Sequence, residues 1–93
     1  MSYQPDFSVH DLRRLAPGDR GPMIRTLAGR VLADLIAIED EPTPRSLKAK
    51  ARRSKRIAIR RGKLRRLHAL ANLFAIHLQP AAVERATFSR APK

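Results

Sequence analysis

The sequence predicts a single all-α domain of 93 residues, in which two or three helices carry a highly basic helix or arm. Apolar residues recur three or four positions apart over residues 22–40, which is the pattern of an amphipathic helix. Residues 67–79 are apolar on nearly every side, as is typical of a helix buried in a core or an oligomer. Between these two runs, residues 45–66 contain twelve Lys or Arg and no Asp or Glu.

The N-terminal helices are predicted within residues 8–40. Ser8 and Asp11 have the spacing of a capping box, because a Ser hydroxyl can accept the backbone N–H three residues further on. This start predicts a short helix over residues 9–16. The two prolines and two glycines of residues 17–22 then indicate a tight loop.

The second helix is predicted over residues 22–40, with Ile24, Val31 and Leu35 on its apolar stripe. Its first residue is Pro22, which suits the first helical turn because the missing N–H has no partner there. Three acids at its C-terminal end oppose the helix macrodipole. We therefore expect these acids to have cationic neighbours, and the nearest Lys and Arg residues along the chain are those of the basic segment 45–66.

The chain from residue 46 to residue 79 is compatible with one long helix, in which Gly62 is the only weak position. Its second half, residues 67–79, is predicted to be a core or dimerisation helix. Residues 45–66 carry cations on every side of a helical wheel, so we expect this half to be weakly ordered until a polyanion neutralises it. Residues 80–93 are predicted to form a short final turn and a tail.

A homodimer is also expected. Two apolar helices and one short helix give a thin core for a chain of net charge +12, and a partner copy would bury more apolar surface. The residues predicted to form the core or the dimer interface are Ile24, Val31, Leu35, Leu67, Leu70 and Phe74.

The basic segment 45–66 accounts for the whole net charge, since its twelve cations equal +12 and the other eight cations balance the eight acids. Charge concentrated in one stretch indicates a polyanionic partner. The segment contains no aromatic residue to stack on bases, which favours duplex DNA over single strands and leaves structured RNA open. The sequence thus predicts a small nucleic-acid-binding protein, a DNA-binding regulator or an architectural factor. The residues predicted to contact phosphates are Lys48, Arg52, Arg53, Lys55, Arg56, Arg60, Arg61, Lys63 and Arg66.

Three alternatives are open for the same segment. It is suited to a non-enzymatic regulator whose basic arm docks on an acidic protein partner, or to an anionic membrane surface. It also permits a short strand, because polar and apolar residues alternate over residues 55–61, with Ile57 and Ile59 on one side, before a helix. In this order it resembles the ribbon–helix–helix repressors. The resemblance implies that the two Ile residues enter a dimer core and that three residues face the bases: Arg56, Ala58 and Arg60.

The sequence lacks the residue groups of an enzyme or a metal site. Without Cys there are no disulfides or thiolate ligands, and His68 and His77, nine positions apart on one helix, fall on opposite faces. No Gly-rich phosphate loop is present. We therefore expect no catalysis, no cofactor and no metal. The lack of a secretory signal and of an apolar run of about 20 residues predicts a cytoplasmic protein without a membrane span.

Overall fold

A computed structural model describes residues 8–87 as four helices with no strand among them. The helices are α1 (Val9–Arg13), α2 (Pro17–Glu39), α3 (Leu47–Leu73) and α4 (Pro80–Thr87). The predicted all-α class is confirmed. The ribbon–helix–helix alternative is wrong, because residues 55–61 lie in the interior of α3 rather than in a strand.

The predicted capping box is present at the start of α1. The Ser8 hydroxyl accepts the Asp11 N–H, and the Asp11 carboxylate accepts the Ser8 N–H at 2.9 Å. The helix stops at Arg13, three residues earlier than predicted, and the Arg20 guanidinium donates to the carbonyl of Leu12 at 2.8 Å. The Leu12 carbonyl also accepts the Leu15 N–H at 3.1 Å, so Arg20 gives this carbonyl a second donor at the end of the short helix.

The tight loop predicted over residues 17–22 is wrong, because these residues form the first turns of α2. Pro17 stands at the first helical position, where its fixed φ favours the helix and its missing N–H costs nothing. Pro22 lies inside the helix and removes one further hydrogen bond near its start, and the helix continues past it. The end of α2 at Glu39 agrees with the predicted end near the three acids.

The helices α2 and α3 pack as an antiparallel hairpin, because Arg53 of α3 donates to the Glu39 carbonyl at the end of α2 while Arg25 of α2 donates to the His77 carbonyl beyond the end of α3. The helices α1 and α4 contribute buried residues to the same core. Of the predicted core residues, four are buried, whereas Val31 and Phe74 are half-buried and pack against the core. The other helices add Leu12 from α1 and Ala82 and Ala86 from α4, which the sequence did not predict. The buried cluster contains Leu12, Ile24, Ala28, Leu35, Leu64, Leu67, Leu70, Ala71, Ala82 and Ala86.

The helix α3 ends at Leu73, six residues before the predicted end at residue 79. A Schellman motif terminates it: the Ile76 N–H donates to the Ala71 carbonyl at 2.7 Å, and the Ala75 N–H donates to the Asn72 carbonyl at 3.2 Å. Ala75 adopts a left-handed φ of 56° at the position where Gly is usual. Because Ala is a strong helix former, this stop could not be predicted from the sequence.

The basic segment is helical, and it has a packed face that the helical wheel did not indicate. Leu64 has no exposed surface, and Ile57 is half-buried against the core. The helix runs through Gly62 without interruption. The tail predicted over residues 80–93 contains α4, and its residues 88–93, like residues 1–7, lie outside the described part of the chain.

Candidate nucleic-acid interface

The helix α3 contains eleven Lys or Arg and no Asp or Glu over its 27 residues. Ser46 caps its N-terminus, where the hydroxyl accepts the Ala49 N–H at 3.0 Å. Lys, Arg and Ala have high helix propensities, which favours a helix in spite of the repulsion between like charges. Two features of the fold offset this repulsion: the packed face of α3, and the acids at the end of α2.

These acids are Glu39 and Glu41, and we call them the acidic pair. The Glu41 carboxylate accepts two hydrogen bonds from the Arg56 guanidinium, at 2.9 and 3.1 Å. Glu39 contacts three arginines, of which two lie on α3 and one on α4. They are Arg85 at 2.8 Å and Arg61 at 4.0 Å from its carboxylate, and Arg53 at 3.1 Å from its backbone carbonyl. The predicted cationic neighbours are thus confirmed for Glu39 and Glu41, two of the three acids.

The pKa shifts follow from these contacts. The hydrogen bonds from Arg56 hold the pKa of Glu41 below its ordinary value, and the same bonds raise the pKa of Arg56. The hydrogen bond to Glu39 raises the pKa of Arg85. Each shift favours the charged form of the group that carries it, so Glu41, Arg56 and Arg85 stay ionised at neutral pH.

A second group of cations faces away from the core. Its members follow one another at spacings of three, four or eight residues, which places them on one face of α3, with Ile59 in the gap. All of them are exposed. The last of them lies 18 positions after the first, which is about 27 Å along the helix axis. We call this group the outer lane, and it consists of Lys48, Arg52, Lys55, Lys63 and Arg66.

The structure divides the nine predicted phosphate-contacting residues into two sets. Five form the outer lane, and Arg60 is half-buried at its flank. Three are turned to the end of α2, where Arg56 binds Glu41 and where Arg53 and Arg61 approach Glu39. A helical wheel of the isolated segment could not separate these sets, because it does not show which side α2 covers.

The sequence analysis did not identify Arg85, which binds Glu39 from α4. Apart from its charge, nothing in the sequence pattern indicates that Arg85 contacts an acid. Lys50 and Arg65, which are exposed on α3 outside the outer lane, were also given no weight. A cleft of about 220 Å³ lies beside the acidic pair, and it is lined by Glu39, Arg61, Glu84 and Arg85. Its charged groups include the ion pairs already described, so it offers no separate site.

Residues 8–87 contain no metal site, no membrane-spanning helix and no aromatic ring in the outer lane. No group of three His, Cys, Asp or Glu in this part of the chain is placed to hold a metal ion. No helix among the same residues has the length and apolar character to cross a bilayer. Their only aromatic ring, that of Phe74, is half-buried under the Arg20 guanidinium at 5.1 Å, so none is available in the outer lane to stack on a base.

The chain was compared with protein-family models, with curated protein sequences and with solved structures, and none of the three comparisons found a match. Its function is therefore inferred from the charge, the exposure and the contacts of α3. The decisive property of this helix is that one side is fixed to the domain while the other presents an acid-free row of cations.

Proposed function

We propose that this protein binds nucleic acid without catalysing a reaction, and that the outer lane contacts the phosphate backbone of a duplex. The observation that supports this most directly is the exposure of five cations along about 27 Å of a helix that has no acid. Four of them, Lys48, Arg52, Lys55 and Lys63, take part in no hydrogen bond or ion pair among residues 8–87. Their charge is therefore available to an external polyanion.

A duplex fits the outer lane better than a single strand. Duplex DNA presents about one charge per 1.7 Å of axis, so a lane of this length faces more phosphates than it has cations. Single-strand binding draws on stacking of bases on aromatic rings, and the lane has none. Its cations can contact phosphates of any sequence, and phosphate contacts position a protein on the duplex without carrying sequence information. The proposal is thus a sequence-tolerant DNA-binding regulator or architectural factor.

Fluorescence anisotropy tests this proposal with labelled duplex DNA, single-stranded DNA and structured RNA at about 50 and 200 mM salt. Five phosphate contacts give a slope of about −4.5 for log affinity against log salt, and so a loss of about 500-fold between the two concentrations. Tighter binding to structured RNA than to duplex DNA would identify RNA as the ligand and refute the preference for DNA. No binding at 50 mM to any of the three would refute the proposal.

A second candidate is the docking of α3 on an acidic protein surface. It is favoured by Ile59, which is 47% exposed in the middle of the outer lane, and by Leu47, which is 83% exposed at the start of α3. Exposed aliphatic side chains are better matched by a protein surface than by phosphates. An interface that gains from packing has a shallower salt dependence than one held by phosphates, so the same titration separates the two candidates.

The homodimer and the cytoplasmic location stay predictions. The homodimer was expected because the core looked thin, and in the structure α1 and α4 help to close that core within one chain. Dimerisation is therefore not required to cover Leu67 and Leu70, which are buried already. The mass in solution, measured by light scattering across a concentration series, decides between monomer and dimer.

A further inference from the structure

One charged contact lies at the very edge of the outer lane. Arg56 follows Arg52 by four residues along α3, so the two side chains are neighbours on the helix surface. The Arg56 guanidinium does not point along the lane to solvent, because both of its terminal nitrogens donate to the Glu41 carboxylate, at 3.1 and 2.9 Å. This fork-to-carboxylate geometry is also the geometry in which Arg binds a phosphate.

We propose that Glu41 is an internal competitor of the nucleic-acid backbone, which holds Arg56 and thereby limits the affinity of the outer lane. The inference rests on the proposed function. A phosphate and the Glu41 carboxylate need the same two donors of Arg56, so they cannot both bind it in this geometry.

The exposure of the two partners makes the exchange feasible. The side chains of Arg56 and Glu41 are 45% and 40% exposed, so a polyanion can reach the pair from solvent. The contacts of Glu39 differ, because the side chains of Glu39, Arg61 and Arg85 are only 27–30% exposed and join three helices. Glu39 therefore belongs to the structure, whereas Glu41 is the acid that competes. The lowered pKa of Glu41 agrees with this, since the competing carboxylate stays ionised at neutral pH.

The test is the affinity of full-length variants for a labelled duplex, measured over a range of salt concentrations. Glu41→Gln keeps the side-chain size but removes the charge that holds Arg56. It should bind about two- to fivefold more tightly than wild type near 50 mM salt, which is the effect of one exposed charge pair. Its log–log salt slope should steepen by about 0.9, because one more phosphate is neutralised.

The matched control is Asp34→Asn, which removes the same charge from an exposed position on α2 whose side chain makes no hydrogen bond or ion pair among residues 8–87. It should change the affinity by less than Glu41→Gln and leave the slope unaltered. Arg56→Gln alone should have little effect, and in the double variant it should cancel the gain of Glu41→Gln. Circular dichroism of each variant checks that the helix content is retained.

Two results would overturn the inference while leaving the proposed function intact. One is an equal gain in affinity for Glu41→Gln and Asp34→Asn, which would show only a general effect of net charge. The other is a gain that persists when Arg56 is also replaced. A failure of the proposed function has a different signature, because neither wild type nor Glu41→Gln would then bind any duplex at 50 mM salt.

Discussion

Replacing Leu64 by Ala tests whether the basic helix is part of the domain or an arm that leaves it. Leu64 lies among the cations of α3, and its side chain has no exposed surface because it packs in the core formed by all four helices. Truncation of a fully buried Leu removes its transfer free energy and leaves a cavity, so we expect a loss of about 3 kcal/mol, within the usual range of about 2–5 kcal/mol.

This loss is large for a small domain. A chain of this size has a free energy of unfolding of about 5–14 kcal/mol, so the variant should lose a fifth or more of its stability. Each kcal/mol shifts the melting temperature of such a domain by about 4–8 °C, which gives an expected decrease of about 12–24 °C. Thermal and urea unfolding followed by circular dichroism at 222 nm measure both quantities.

The matched control is Ile59→Ala on the same helix. Ile59 is 47% exposed and faces away from the core, and Ala is the better helix former, so this variant should differ from wild type by no more than about 0.5 kcal/mol. Leu64→Met nearly conserves the buried volume and should cost less than about 1.5 kcal/mol. If Leu64→Ala and Ile59→Ala had the same small effect, α3 would not be packed as described, and the residues 45–66 would be an arm.

Three further predictions concern the helix ends. Ala75→Gly should raise the melting temperature by about 2–8 °C. Gly removes about 1–2 kcal/mol of left-handed strain, and the larger conformational entropy of Gly in the unfolded chain offsets part of this gain. No increase would refute the assignment of left-handed strain to the α3 stop. The pKa values of Asp11 and Glu41 are lowered in the folded state, from ordinary values of 3.8 and 4.5, so their contribution to stability is complete above about pH 5 and is lost as the pH falls through the folded values. Acid titration of Glu41→Gln by circular dichroism should therefore show a smaller loss of stability than wild type, and equal losses would contradict it. Arg85→Gln should speed amide hydrogen exchange in α4 relative to α3, because it breaks the bond to Glu39, and unchanged exchange would show that this ion pair does not hold α4.

The parts of the fold that local chemistry determines were predictable from the sequence. The capping pattern of Ser8 and Asp11 and the end of α2 at Glu39 depend on neighbours within one turn, and both are confirmed. The cationic neighbours of the acids also followed from charge alone. Buried positions such as Ile24 and Leu35 followed from the helical period of the apolar residues.

The parts that depend on tertiary contacts were not predictable. Residues 17–22 look like a loop because they contain two Pro and two Gly, yet their helix is stabilised by the positions of those Pro residues and by packing of the rest of α2. The stop at Ala75 requires a conformation for which the residue has no intrinsic preference. For the candidate site, Ile57 and Leu64 mark the inner side of the basic segment, and on the wheel they were outnumbered by the cations around them. The sequence therefore located the basic segment but could not divide its cations into an inner and an outer set.

The most direct test of the central claim compares two triple Gln variants that each reduce the net charge from +12 to +9. The lane variant replaces three cations of the outer lane, Lys48, Arg52 and Lys55. The control replaces three exposed arginines outside it, which are Arg13 and Arg14 at the end of α1 and Arg30 on α2. The measurement is the salt dependence of duplex binding. The lane variant should have a log–log slope of about −1.8, against about −4.5 for wild type and the control, because three of five phosphate contacts are lost. Equal slopes for the two variants would show that net charge rather than the outer lane binds the duplex, and would contradict the account.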